Sequence, residues 1–176
     1  PRRLDTQAFA QDAAALSGSL TLRDLPRLRE EATGACDDRP IRWSSQGQWR
    51  AVAGGPEQAW LQLEAQVSLP LTCQRCLTPV EVDLRISRPF RFVADEATAL
   101  QEDDESEEDL LVSSQSFDLV DLVEDELIME LPAVARHDTC PVTVKLSVAD
   151  PEFEAEGTGQ PHPFAALQAL RSKKSN

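Results

Sequence analysis

Four residues of the chain combine metal-ligand chemistry with a repeated spacing. Cys73 and Cys76 enclose two residues, and His137 and Cys140 repeat that separation later in the chain. Zinc prefers four tetrahedral ligands, commonly cysteine thiolates and histidine nitrogens, so the two pairs would together complete a structural Cys3His site. The interval between the pairs exceeds that of common zinc ribbons. Metal-free thiols in a turn therefore stay open as the alternative.

The same cysteines also suggest enzyme chemistry, either thiol redox or zinc-dependent. A redox CxxC usually lies at a helix N-terminus, which lowers the thiolate pKa, whereas a strand is predicted directly after Cys76. The sequence contains no Gly-rich phosphate loop, no Gly-x-Ser-x-Gly and no HExxH. We therefore predict a protein that is not an enzyme, with no catalytic or cofactor-binding residue. A thiol redox or zinc-dependent enzyme is kept as the alternative.

The cysteine pair lies between two predicted strands. Residues alternate between apolar and polar from Leu61 to Cys73, and again from Val80 to Ile86. A period of two residues places alternate side chains on one face of a strand, so this stretch is predicted to be a long β-hairpin with Cys73–Cys76 at its tip. A second hairpin is predicted over Ile41–Gly54, turning at Ser45–Gly47. Four consecutive antiparallel strands are simplest as a meander.

Helical spacing and capping residues predict the remaining elements. Helices are expected over Thr6–Leu16, over Leu22–Glu31 with Pro26 in its first turn, and over Phe117–Leu131 with Asp118 as the N-cap. A short strand is expected from Val142 to Leu146, and a terminal helix from Pro163. The fold class is therefore α+β, an antiparallel, barrel-like β-meander with a few packed helices. The polar residues of the third helix are interpreted as its solvated face: Asp121, Glu124, Asp125 and Glu126.

The negative charge of the protein is concentrated in one segment. Residues 93–131 hold 15 Asp and Glu and no Lys or Arg, whereas the rest of the chain holds 16 acids and 17 bases, within a net charge of −14. Residues 95–116 are predicted to be a flexible acidic loop, because such a composition cannot bury apolar area. Since phosphate binding depends on Lys and Arg, basic proteins are the more natural direct partners of this segment. A solvated insert with no partner is the simpler interpretation of such a charge run. Contact with RNA is expected to be indirect.

A second group of charged residues points toward RNA but has a simpler interpretation. Arginines follow one another along the second strand of the long hairpin and its approach, beside two phenylalanines, and arginines near aromatic rings can bind RNA by phosphate contact and stacking. We interpret these arginines as cross-strand partners of acids such as Glu64, with both phenylalanines in the core. The residues concerned are Arg75, Arg85, Arg88 and Arg91, with Phe90 and Phe92.

Three segments of the chain, LTCQRCLTPV, DLVEDELIMELPAVARHDTC and HPFAALQALR, resemble the YceD family, the large ribosomal RNA subunit accumulation proteins of bacteria and plastids. The resemblance spans most of the chain, although His162 stands where members often carry Asn. The specific matches are Cys73–Cys76, Val123–Glu126, Leu131–Pro132, His137–Asp138 and Pro163–Leu170. The resemblance implies a non-enzymatic role in 23S rRNA accumulation and large-subunit biogenesis. Its expected partners are a ribosomal or maturation protein and the pre-50S particle.

Length and cysteine content set the remaining expectations. A chain of 176 residues suits a single YceD-like domain over residues 1–176. Four cysteines are too few for a disulfide framework, and no run of about 18 apolar residues or apolar leader occurs. A cytoplasmic protein with reduced thiols and no membrane span is therefore expected.

Overall fold

The structure is a computed structural model and describes residues 3–51, 56–143 and 148. Contacts divide the chain into one unit of residues 1–141 and a second of residues 142–176. In the second unit, residues 142, 143 and 148 are described, and all three are exposed. The terminal helix predicted from Pro163 lies outside the described residues, as does most of the strand predicted at 142–146. The single domain over residues 1–176 stays a prediction.

Five strands form one sheet in the first unit, and they lie in sequence order. Strands β1 to β4 pair antiparallel, whereas β5 runs parallel to β4. The long hairpin is confirmed: β3 pairs with β4 from Thr72 opposite Pro79 to Trp60 opposite Arg91. The strands are β1 (Ala15–Thr21), β2 (Pro40–Ala51), β3 (Glu57–Thr72), β4 (Pro79–Val93) and β5 (Asp109–Val112).

The sheet is open rather than barrel-like, and it is mixed rather than antiparallel. Within the described ranges, β1 pairs with β2 alone and β5 with β4 alone. The fifth strand is only four residues long and parallel to its neighbour. Closing a barrel requires the two edge strands to pair, and these two edges are separated by three long strands. The α+β class is correct, but the barrel-like arrangement is not supported.

The second strand corrects the hairpin predicted over Ile41–Gly54. The turn expected at Ser45–Gly47 does not form, and β2 continues through it, with Gly47 opposite Leu61. Gly47 is required there because a Cβ would collide with the main-chain carbonyl of Phe9. Glycine in this strand therefore marks the close approach of a helix rather than a turn.

Within the described residues 3–51 and 56–143, four α-helices accompany the sheet: α1 (Thr6–Gln11), α2 (Pro26–Glu31), α3 (Glu96–Glu102) and α4 (Leu119–Met129). Asp118 caps α4 as predicted, and its carboxylate accepts from the N–H groups of Val120 and Asp121. The helix predicted to run to Leu16 ends earlier, since Ala13 adopts a left-handed conformation (φ 47°) and β1 begins at Ala15. Across the described residues, no helix is both long and apolar enough to span a membrane.

One face of the sheet carries the main hydrophobic core. Alternate residues of β3 from Leu61 to Leu71 are buried there together with Phe90 of β4, against Phe9 of α1, Leu28 of α2 and the apolar face of α4. Phe92 meets Phe117 edge to face, with ring centroids 5.4 Å apart. Helices α1, α2 and α4 thus cover this face, and α4 directs the following chain toward the tip of the long hairpin.

Residues 94–108, here called the acidic arm, connect β4 to β5. The sequence predicts a loop over residues 95–116, yet this range contains α3, a 3-10 turn at Asp103–Glu105 and β5. Asp95 caps α3 by accepting from the N–H of Thr98 at 2.8 Å, and α3 has no buried residue. Regular structure in this segment corrects the loop assignment, while its flexibility stays a prediction.

Candidate metal centre

The turn between β3 and β4 presents the first pair of candidate ligands. The Cys73 N–H donates to the Thr78 carbonyl at 3.0 Å, and the Leu77 N–H donates to the Cys73 carbonyl at 2.8 Å. Leu77 adopts a left-handed backbone conformation with φ 59°, which costs a non-glycine residue roughly 1 kcal/mol. This tight turn folds the chain back so that Cys73 and Cys76 approach each other.

The loop after α4 supplies the second pair. Pro132 cannot donate a backbone hydrogen bond, so the helix ends before it. The chain then crosses the hairpin tip, where the Gln74 N–H donates to the Ala135 carbonyl at 2.8 Å. Arg75 donates to the main-chain carbonyl of His137 at 3.0 Å. These two contacts fix the loop so that His137 and Cys140 face the cysteine pair.

All four candidate ligands meet at one point. The ligand atoms of Cys73, Cys76, His137 and Cys140 lie within 4.8 Å of one another, and Cys76 Sγ is 3.4 Å from His137 Nδ1. Tetrahedral zinc with Zn–S bonds near 2.3 Å would hold thiolates about 3.8 Å apart. A contraction of about 1 Å or less would therefore bring the four atoms to coordination distance. Their role as metal ligands stays a prediction.

The surroundings of the cluster favour an ionised thiol at its centre. Burial opposes ionisation of Cys73, but the backbone N–H groups of Cys76, His137 and Arg75 donate to its sulfur and lower its pKa to about 5. The Thr78 hydroxyl, 3.1 Å from Cys76 Sγ, is the main cause of a lowered pKa at Cys76. Since the thiolate is the form that binds metals, the lowered pKa values favour these two sulfurs as candidate ligands.

The pKa values of the other two members of the cluster, His137 and Cys140, are raised rather than lowered. Contact with Cys73 is the main cause that raises the pKa of His137. Burial, followed by the neighbouring thiols of Cys76 and Cys73, raises the pKa of Cys140 to about 11. A divalent cation would reverse this last shift, because a coordinating thiol is deprotonated.

The arrangement suits a closed, structural ion rather than an open catalytic one. A structural zinc site is filled by four protein ligands, whereas a catalytic site keeps one position for water or substrate. Cys73 is fully buried and the other three ligands are half-buried. Cys36, which received no role from the sequence, is buried elsewhere, with its sulfur 3.6 Å from the Gly34 carbonyl.

The arginines of β4 have partners that the sequence did not indicate. Arg91 is 3% exposed and forms ion pairs with Glu102 and Glu108 of the acidic arm. Arg88 lies 3.4 Å from Glu126 of α4. Glu64, the acid that was expected to pair with these arginines, instead accepts from the Ser44 hydroxyl at 3.3 Å. The core positions of Phe90 and Phe92 are confirmed.

The acids of α4 were interpreted as a solvated face, and this is wrong for two of them. Glu124 is 3% exposed and Glu126 is 8% exposed. The Glu124 carboxylate accepts from the N–H groups of Arg27 and Leu28 at the start of α2. The one sequence signal was Pro26, because proline favours the first helical position. This places Leu25 at the N-cap, and leucine cannot cap a helix with its side chain.

Comparison with known proteins identifies a family. The family model described as "Large ribosomal RNA subunit accumulation protein YceD" matches residues 61–171, which include all four clustered ligands. A protein of that name from Haemophilus influenzae is 35% identical over 179 residues, covering 98% of this chain and 97% of its own. No solved structure matches. The chain belongs to the YceD family of large ribosomal RNA subunit accumulation proteins.

Proposed function

We propose that the protein is a non-enzymatic factor that supports 23S rRNA accumulation and large-subunit biogenesis by binding to the pre-50S particle. Membership of the YceD family is the observation that carries this proposal. The proposal sets this role in the cytoplasm, where thiols stay reduced. We further propose that Cys73, Cys76, His137 and Cys140 hold one structural zinc ion, on the support of their ligand atoms lying within 4.8 Å.

A structural ion would hold together two parts of the fold that are far apart in the sequence. It would bind the tip of the β3–β4 hairpin to the loop after α4. Hydrogen bonds from Gln74 to Ala135 and from Arg75 to His137 join these same segments. The ion would therefore stabilise the surface that the hairpin tip and this loop form together. Such a role is structural and supports binding rather than catalysis.

The acidic arm is the proposed contact for a basic ribosomal or maturation protein. Between Glu102 and Glu108, four carboxylates are exposed and make no ion pair with any other described residue: Asp103, Asp104, Glu105 and Glu107. Glu102 and Glu108 flank this group and are held by Arg91, so the exposed acids are fixed near the sheet. Clustered charge of one sign attracts a partner of the opposite sign and speeds association, with a strong dependence on salt. As long as the arm stays on the sheet, RNA contact would pass through that partner.

Sedimentation of cell extracts on a density gradient tests the proposed function. The unaltered protein should migrate with large-subunit precursors rather than with mature ribosomes. A strain that lacks the protein should accumulate less 23S rRNA relative to 16S rRNA, and the unaltered chain should restore the ratio. A protein that stays at the top of the gradient, with an unchanged ratio in its absence, would contradict the proposal.

One observation favours thiol redox or zinc-dependent chemistry as a second candidate. The pKa of Cys73 is lowered to about 5, as in reactive cysteines. However, Cys73 is fully buried, and exchange with another thiol requires access to the attacking sulfur. Replacing Cys76 by Ser distinguishes the two: a redox enzyme loses its activity while folded, whereas a binding factor loses only the proposed ion.

A further inference from the structure

The open face of the sheet contains a basic and aromatic group beneath the acidic arm. Trp60 of β3 lies between Gln48 and Arg91 in the strand register, on the side opposite the main core. The guanidinium carbon of Arg50 is 3.7 Å from the centroid of the Trp60 ring. Trp60 is 8% exposed, yet it is not part of the main hydrophobic core. Trp60 and Arg91 are thus buried outside the main core, whereas Arg50 is exposed over the Trp60 ring.

The acidic arm supplies most of the partners of Arg91. Its guanidinium donates to Glu102 at 2.6 Å, to Glu108, and to the Ser106 hydroxyl at 2.7 Å. Gln58 of the neighbouring strand accepts a further hydrogen bond at 2.8 Å. Two carboxylates on one guanidinium present oxygen atoms much as a phosphodiester does, because arginine binds both groups through the same planar fork of donors.

We propose that the group Arg50, Trp60 and Arg91 is a contact site for single-stranded RNA, and that the acidic arm covers it by occupying Arg91. Two arginines would bind phosphates, and the indole would stack on a base once Arg50 moves from its ring. Aromatic stacking beside a positive groove is the usual chemistry of single-strand binding. Of the partners that carry both negative charge and flat rings, single-stranded RNA fits this group, whereas an acidic peptide supplies the charge alone.

The arm can leave the site more easily than a core element could. No residue of α3 is buried, so its attachment depends mainly on the contacts with Arg91 and on short β5. A buried arginine without a partner is costly, so the arm and the RNA phosphates should exchange rather than leave Arg91 empty. This inference rests on the proposed function, because a basic partner that captures the arm would uncover the RNA site.

Two variants of equal charge provide the test. The double variant Glu102→Gln, Glu108→Gln loses both ion pairs between the arm and Arg91. The double variant Asp103→Asn, Asp104→Asn removes the same charge from exposed residues that form no ion pair with Arg91. Binding of a labelled single-stranded RNA of about 12 nucleotides is measured by fluorescence anisotropy. The first variant should bind about tenfold more tightly than the second. Adding Arg50→Gln to the first variant should abolish this gain.

Three results would overturn the proposal. They are equal RNA affinity of the two variants, binding of an acidic peptide as tight as that of RNA, and no binding by either protein. If Glu102→Gln with Glu108→Gln fails to fold, hydrogen exchange of the unaltered protein decides. Saturating RNA should then accelerate exchange of the arm amides at 96–108, and unchanged exchange would contradict the proposal. Co-sedimentation with precursor particles is measured separately. A protein that co-sediments but fails the RNA tests would contradict the RNA site and leave the proposed function intact.

Discussion

The Glu124 carboxylate of α4 caps the N-terminus of α2 at Arg27. One oxygen accepts from the backbone N–H of Arg27 at 2.7 Å and from that of Leu28 at 3.1 Å. The other oxygen accepts from the Arg27 guanidinium at 3.1 Å. The first N–H groups of a helix have no partner within the helix, so a carboxylate from another helix supplies one here. This contact explains why an acid is buried within the VEDE segment.

Removing this carboxylate should destabilise the protein. Glu124→Ala leaves the first turn of α2 uncapped and removes one of the two carboxylates that pair with Arg27, so we expect a loss of about 1–2 kcal/mol in the free energy of unfolding. Asp125→Ala is the control, since Asp125 binds the same arginine but is half exposed, and should cost under about 1 kcal/mol. Urea unfolding measures both. Similar losses in the two variants would contradict the capping role.

Replacing Glu126, two residues further along α4, should have the opposite effect on stability. Burial is the main cause of its raised pKa, opposed by Arg88 and reinforced by Asp109. A raised folded pKa means that the contribution of Glu126 to stability is complete below its ordinary pKa and is lost as pH rises through the folded value. Glu126→Gln should therefore be neutral or stabilising near pH 7.

Urea titrations at about pH 5 and about pH 7 measure this effect. The unaltered protein should gain more stability than Glu126→Gln when the pH is lowered, because glutamate at this position can take up a proton and glutamine cannot. Glu124→Gln is the comparison, since the Glu124 carboxylate accepts hydrogen bonds from Arg27 and Leu28 and its replacement should lower stability rather than raise it. If Glu126→Gln is the less stable protein near pH 7, the prediction is wrong, and the attraction of the Glu126 carboxylate to Arg88 outweighs the cost of burying it.

The metal content of protein purified without chelators tests the Cys3His site. One zinc ion per chain is expected, and Cys73→Ser should lose it, because three ligands bind a structural ion far more weakly than four. Cys36→Ser is the matched control, since Cys36 is a buried cysteine outside the cluster and should keep the ion. Elemental mass spectrometry gives the ratio. Equal zinc in both variants, or none in well-folded unaltered protein, would rule the site out.

Charge reversal of the exposed acids tests the proposed partner contact. Asp103, Asp104, Glu105 and Glu107 are all changed to Lys, which leaves the ion pairs of Arg91 intact. Capture of the pre-50S particle or of a basic partner should fall at least about tenfold at low salt, with unchanged thermal stability. The control reverses four exposed acids elsewhere, namely Asp12, Glu30, Glu31 and Glu57. Equal capture by both variants would show that only net charge matters.

Local patterns predicted the elements that hold the candidate site. The alternation from Leu61 to Cys73 and the capped, amphipathic helix at 119–129 act over a few residues, so the sequence displays them directly. Pro132 ends that helix and sends the chain back toward the hairpin. The repeated two-residue spacing of the ligands then sufficed to name all four members of the cluster that the structure brings together.

The features that escaped prediction depend on contacts between distant segments. Gly47 looked like a turn, because the approach of Phe9 to it is not visible in the local sequence. β5 is stabilised by pairing with β4 across the acidic arm, where composition alone indicates a loop. Glu124 and Glu126 look solvated until α2 and Arg88 are placed beside them. In each case the deciding partner is far away in sequence.

The crossover between β4 and β5 also determines where the chain can accept insertions and deletions. The arm leaves the sheet after Val93 and returns at Asp109, which pairs with Phe90 of the adjacent strand. Both ends are therefore held by the sheet, and doubling the length of such a connection costs only about 0.6 kcal/mol in loop-closure entropy. Insertions and deletions ahead of Glu102 should thus be well tolerated, whereas the spacing of Glu102, Ser106 and Glu108 is constrained by Arg91.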